Sequence, residues 1–350
     1  MVSAGALEQF YALFEAWGIP WIVPRLAIML GVVSIIIGFI SVSAMFLIWW
    51  ERKISAHIQA RFGPMRVGGW HGWAQSIADG LKLLLKEDII PTRADRPVFI
   101  LAPIVVFAAS LATYVVIPFG PGLIVQDLNI GILYIIAISS LTVVGIIMAG
   151  WGSNNKYAAL GALRSAAQAV SYEVPLVISL LGPLLLVGSL RMTDIVEYQG
   201  GTWLGILPGW LIVVQPLAFL IYFTCAVAET NRLPFDIPEA ESELVSGFHV
   251  EYSGMRFAIF FLAEYANMFV VCAIATTVFL GGWQGPLLAP WVWFLLKTYF
   301  LLFVMIWLRW TLARVRVDQL MHVAWKVLLP LAFVNLGITG LLVLVLSPMG

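Results

Sequence analysis

The sequence predicts an all-α integral membrane protein with eight transmembrane helices, both termini on the periplasmic side, and an amphipathic helix in the interface. Three observations predict it. The 350 residues are 61% hydrophobic and 11% charged, with a mean hydropathy of +0.97; soluble domains carry about 25% charged residues. Apolar runs able to cross about 30 Å of hydrocarbon lie near 27–50, 98–118, 132–150, 175–190, 209–228, 257–281, 290–308 and 327–346. Connectors 51–97, 151–174, 229–256 and 309–326 hold 16 of the 19 Lys and Arg. Basic residues collect on the cytoplasmic side, so these four connectors face the cytoplasm, or the matrix in a mitochondrion.

Each element has its own signal. In the 51–97 connector, Trp70, Trp73, Ile77, Leu81 and Leu84 recur at helical spacing, which predicts a helix lying in the interface. Asp79, at the edge of that stripe, faces either water or a neighbouring protein surface. Residues 1–350 read as one polytopic membrane domain: no soluble domain, clean internal repeat or N-terminal signal peptide is evident.

The 229–256 connector is the chemical signature. Residues 228–254 hold six of the 19 acids (Glu229, Asp236, Glu239, Glu241, Glu243 and Glu251) and one base, Arg232. Like charges crowded beside hydrocarbon raise one another's pKa, so such a cluster can hold protons near neutral pH; a solvated acidic face is the plain alternative. Pro238 suits the first turn of a short helix, on which Glu239 and Glu243 would be i,i+4 neighbours that repel when both are ionised.

Other ionisable residues need an account. Glu264 lies seven residues into the sixth run, about 10 Å deep at 1.5 Å per residue. A charge there costs roughly 2.5–3.5 kcal/mol, so it is protonated, paired or beside water, with Tyr265 and Asn267 for company. It serves either as a buried structural hydrogen bond or as a proton relay. Glu173, beside Tyr172, sits at the entry to the fourth run. Lys297, in the seventh, has a stem long enough to snorkel. Glu51-Arg52-Lys53 ends the first run as a basic anchor, or Glu51 and Arg52 pair at a cavity mouth. His57, His71, His249 and His322 lack ligand spacing and read as surface residues, with His249 a secondary candidate proton donor. Cys225 and Cys272 sit in apolar runs with neither CxxC nor a nearby His and read as packing residues. There is no nucleotide loop, iron–sulfur motif or haem histidine pair, so the chain carries no redox centre. Its zero net charge and pI near 6.9 argue against nucleic acid.

Four cytoplasmic segments carry a resemblance that covers nearly the whole chain: ERKISAHIQARFGPMRVG continuing to IADGLKLLLKED; GWGSNNKYAALGALRSAAQAVSYE; AETNRLPFDIPEAESELVSGFHVEYSG followed by FFLAEYANM; and RWTLARVRVDQLMHVAWKVLLP. They closely resemble the quinone-module membrane subunit of respiratory complex I, NADH-quinone oxidoreductase. Met65, Ser76, Ala313 and Val317 depart from the residues usual in that family, and none removes a carboxylate.

The resemblance implies a quinone chamber against the peripheral arm and a chain of carboxylates coupling quinone reduction to proton translocation. Its chamber and junction residues fall on Glu51, Arg52, Arg61, Asp79, Arg232, Asp236, Glu239, Glu241 and Glu243. Its proton path falls on Tyr172, Glu173, Glu229, Glu264 and Tyr265. The substrate would be ubiquinone or menaquinone, with FMN and iron–sulfur clusters only in partner subunits. Implied partners are the peripheral-arm subunits, small membrane subunits and antiporter-like subunits, in the bacterial inner or mitochondrial inner membrane. Alternatives are the related subunit of a membrane-bound hydrogenase or formate hydrogenlyase, and the photosynthetic plastoquinone-reducing relative, which GSNNKY and VIPFG also fit. AETNR and GPMRVG favour the respiratory form. A stand-alone proton-coupled transporter would also explain buried carboxylates, but paired broken helices are not evident.

Overall fold

A computed structural model describes residues 22–203, 207–238 and 241–346. Among these, seven helices are long and apolar enough to cross a membrane: α1 Ile22–Ile58, α3 Arg96–Val116, α4 Gly131–Gly152, α5 Lys156–Val187, α10 Gly254–Phe279, α11 Pro290–Thr311 and α12 Val317–Val345. Shorter elements are α2 Gln75–Leu85, α6 Met192–Tyr198, α7 Leu211–Val214, α8 Pro216–Glu229 and α9 Glu241–Leu244. A two-residue antiparallel pair joins Thr202–Trp203 to Leu207–Pro208. The chain is an all-helical, multi-pass membrane protein.

Two spans differ from the sequence expectation. The fourth begins at Lys156, about 20 residues before the apolar run, because residues 156–174 are rich in alanine, a strong helix former. The Asn155 side chain caps the helix by accepting from Tyr157 N–H at 2.9 Å. Tyr172 and Glu173 are therefore mid-helix residues, not boundary residues. The fifth run breaks at Gln215, whose backbone leaves helical geometry ahead of Pro216. The buried Gln215 amide is satisfied across the bundle, accepting from Asn335 at 2.8 Å and donating to Thr339 at 2.7 Å. That satisfaction makes a break inside an apolar region tolerable.

α5 is central and packs against α4, α8 and α12, while α10 packs against α3, α11, α1 and α2. Close approach at one crossing depends on a glycine. A side chain at Gly161 would bring its Cβ within 2.7 Å of Gly247 Cα and 2.9 Å of Phe248 N, so α5 lies directly on the backbone of the acidic connector. Gly161→Val should lift that connector at a cost of about 1–3 kcal/mol, typical of overpacking. The expected result is a several-fold loss of assembled complex on native gels; a wild-type level would show that the crossing yields easily.

A helix forms within the 51–97 connector, at Gln75–Leu85. Trp73, Ile77, Leu81 and Leu84 leave an exposed apolar face on and beside α2. At the end of the bundle away from the acidic connector, the Lys297 ammonium donates to the carbonyls of Leu280 (2.6 Å), Gly282 (3.1 Å) and Gln284 (2.6 Å). Lys297 thus does not snorkel outward. It ties down the carboxyl end of α10, where a cation is favoured by the helix dipole.

Candidate functional site

α8 ends at Glu229, and Asn231 takes a left-handed conformation (φ 51°) that asparagine tolerates better than most residues. The reversal sends Arg232 back into the bundle, where its side chain is only 3% exposed. There it meets two carboxylates from different helices. One nitrogen lies 3.4 Å from Glu51 of α1 and another 2.9 Å from Glu264 of α10. Tyr265 donates its hydroxyl to Glu51 at 2.7 Å, and the guanidinium sits 4.7 Å from the Tyr265 ring centre. Arg309 of α11 closes the set with a 2.5 Å ion pair to Glu51. Buried charges persist where they are paired and hydrogen-bonded, and here two guanidinium groups face two carboxylates.

The expected alternative of a Glu51–Arg52 pair is not what forms. Consecutive helical residues point about 100° apart, so Glu51 turns inward while Arg52 turns to α2 and pairs with Asp79 at 2.5 Å. Gln75 also donates to Asp79 at 3.0 Å, so Asp79 is paired within this chain. Arg61 is exposed and bonds Gln59 at 2.6 Å, apart from the buried network. Arg309 is not singled out by the sequence, where it reads as one more base after a span.

A string of small cavities continues from this network. The first, about 50 Å³, is lined by Glu264, Glu229, Asn231, His249 and Asn267 among others. A second, about 20 Å³, is lined by Glu229, Glu173, Ser139, Ser165 and Asn231. Glu229 forms a wall of both, and Ser139 and Glu173 line the second cavity with it. Volumes of this size hold from one to a few waters. Tyr172 stands apart, fully buried and donating to the Leu320 carbonyl at 3.0 Å.

The acidic connector divides. Gln168 of α5 donates to the carbonyls of Ala228 and Phe235, both at 2.8 Å, which holds the half-buried Asp236 turn against the bundle. Pro238 lies in a turn, and a described helix covers Glu241–Leu244. The i,i+4 expectation for Glu239 falls outside the described residues, as does the Glu241 side chain. Glu243 corrects the expectation of a proton-holding acid. Arg164 hydrogen-bonds it at 2.8 Å and Arg314 pairs with it too, and the Arg164 bond chiefly holds its carboxyl below the usual range. His249 corrects the surface assignment: it is 8% exposed, and burial pushes its imidazole down to about 4. The sequence signal was present in its aromatic neighbours Phe248, Phe257 and Phe261.

The NADH dehydrogenase family model matches residues 30–340. The chain belongs to that family. It is 53% identical over 311 residues to the H-type NADH-quinone oxidoreductase subunit of Dehalococcoides mccartyi (strain CBDB1), covering 89% of this chain and 86% of that one. It is 50% identical over 338 residues to the Geobacillus kaustophilus protein of the same name, covering 95% and 98%. Against the first of the H-type NADH-quinone oxidoreductase subunits of Geobacter sulfurreducens it is 46% identical over 351 residues, covering 94% and 98%. As a member of the NADH dehydrogenase family, the chain is a membrane subunit of an oxidoreductase complex.

Proposed function

We propose that this chain forms the quinone-binding chamber at the junction with the peripheral arm of NADH-quinone oxidoreductase. We further propose that it starts the carboxylate path coupling quinone reduction to proton translocation. One observation carries the reading: the buried Glu51–Arg232–Glu264 network opens onto cavities that share Glu229 and reach Glu173. The names of the relatives support a quinone rather than a hydrogenase partner.

Reducing a quinone takes up two electrons and two protons. A change of charge at the junction alters how Arg232 divides between Glu51 and Glu264. Glu264, once released, is a stronger base and draws a proton through the cavity waters from Glu229 and then Glu173. Asp236, Glu239 and Glu241 sense the substrate's charge from the connector, and Arg52, Arg61 and Asp79 shape the entry beside the interfacial helix. Glu243 serves as an arginine-held charge, and Tyr265 orients Glu51. Tyr172 is a packing residue beside the path. Electrons come from flavin and iron–sulfur clusters in partner subunits, to ubiquinone or menaquinone. Antiporter-like and small membrane subunits receive the charge change.

The same reading places eight crossings in the bacterial inner membrane, with α7 and α8 together forming the fifth. Both termini lie on the periplasmic side, and connectors 51–97 and 229–256 face the cytoplasm. Glu264→Gln keeps the side-chain shape and an oxygen beside Arg232 but cannot carry a proton. In membranes with normally assembled complex, NADH-driven acidification should fall at least several-fold. Undiminished pumping would remove Glu264 from the path.

A further inference from the structure

Building on that path, we infer that His249 is a positioning residue for proton supply, holding a proton between the cytoplasmic connector and the Glu229–Glu264 cavity. The turn Gly247–His249 packs against α5 and α4 and ends two residues before the half-buried Glu251, which accepts from Asn155 at 2.6 Å. Its imidazole reaches the wall of the cavity that Glu229 and Glu264 also line. Three aromatic rings surround it: Phe248, Phe257 and Phe261, with centroids 4.9, 5.5 and 6.2 Å away. Among the described residues, no protein group hydrogen-bonds either ring nitrogen. A buried imidazole that borders a polar cavity without a protein partner takes a water there.

Among the described residues, two charged groups line that cavity with His249. Glu229 comes from the end of α8 and Glu264 from α10; α3 and α4 contribute only Val106, Thr142 and Ile146 to that cavity. With Arg232 holding the charge of Glu264, burial keeps the ring neutral. When Arg232 releases Glu264, the Glu264 carboxylate favours an imidazolium. One ring nitrogen then accepts a proton from connector-side water while the other N–H passes its proton, through a cavity water, to the Glu264 or Glu229 carboxylate. The ring ends neutral and one proton has moved inward. A residue of this kind differs from a carboxylate link because it can transfer at both nitrogens without rotating.

The test uses assembled complex in inverted membrane vesicles carrying His249→Gln or His249→Ala, with Glu264→Gln measured alongside. For both His249 variants the expected result is a fall in proton pumping of about tenfold with unchanged KM for quinone. The remaining rate should rise as the pH is lowered from 8 to 6, because bulk protons now limit supply. Millimolar imidazole should restore much of the rate in His249→Ala and none in Glu264→Gln. Wild-type pumping in both His249 variants, or a fall that neither acid nor imidazole relieves, would show a packing residue and overturn the assignment. Normal pumping in Glu264→Gln would instead overturn the path itself, so the two failures are told apart.

Discussion

Arg232→Ala should abolish quinone reduction and cut the amount of assembled complex by at least tenfold. Arg232 is almost wholly buried and meets Glu51 and Glu264 together, so removing it leaves two carboxylates in a medium that solvates them poorly. Breaking a buried pair costs on the order of 3–5 kcal/mol, largely the penalty of the orphaned charge. Arg309 offsets part of this at Glu51. Arg232→Lys should fall between, since an ammonium is a point charge without the planar fork that spans two partners. A fourfold change, Arg232→Met and Arg309→Met with Glu51→Gln and Glu264→Gln, removes every charge of the described network. It should restore assembly while leaving activity absent, separating structural from functional contributions. Full assembly and activity in Arg232→Ala would mean that the network is dispensable. Native gels and NADH:quinone reductase assays read both.

The second large effect is expected at Glu229, the carboxylate shared by the two polar cavities. Glu229→Gln preserves volume and polarity in the cavity wall, yet it cannot accept and release a proton. Pumping should fall at least tenfold in vesicles with normal assembly. Glu173→Gln, the next member, should reproduce that loss. Because the two act in series, the double variant should be no worse than either single one, which is the non-additivity expected of residues working as a unit. Additive losses would place them on separate routes. Pumping preserved in Glu229→Gln would break the proposed chain at its middle.

Much of this architecture was legible from residues alone. Apolar length marked the seven long spans among the described residues, and the acid-rich connector held Arg232, which pairs with the buried Glu51 and with Glu264, because desolvation constrains composition strongly in a membrane. What stayed hidden depended on direction rather than identity. Glu51 and Arg52 are adjacent in sequence and oppositely charged, yet helical geometry sends them to different partners. Residues 156–174 carry Lys156 and Arg164, which masked the start of α5. His249 looked solvated because it lies in a polar connector; packing of its turn against α5 and α4 and of its ring against Phe257 and Phe261 of a later helix buries it. Arg309 and Glu51 lie 258 residues apart, a pairing that no local pattern announces.

The tethered Lys297 at the far end of α10 and α11 has a consequence for energy conservation. Among the described residues, Glu51, Glu173, Glu229 and Glu264 all lie in the half of the bundle nearer the acidic connector, whereas the opposite end carries a fixed ammonium that repels protons. A charge crossing the whole membrane works against roughly 2.3 kcal/mol per 100 mV. One shuttling among these four carboxylates crosses only a fraction of that electrical distance. The redox step here should therefore respond weakly to the membrane potential, and an energised membrane should not drive protons backward through this subunit to dissipate its own gradient.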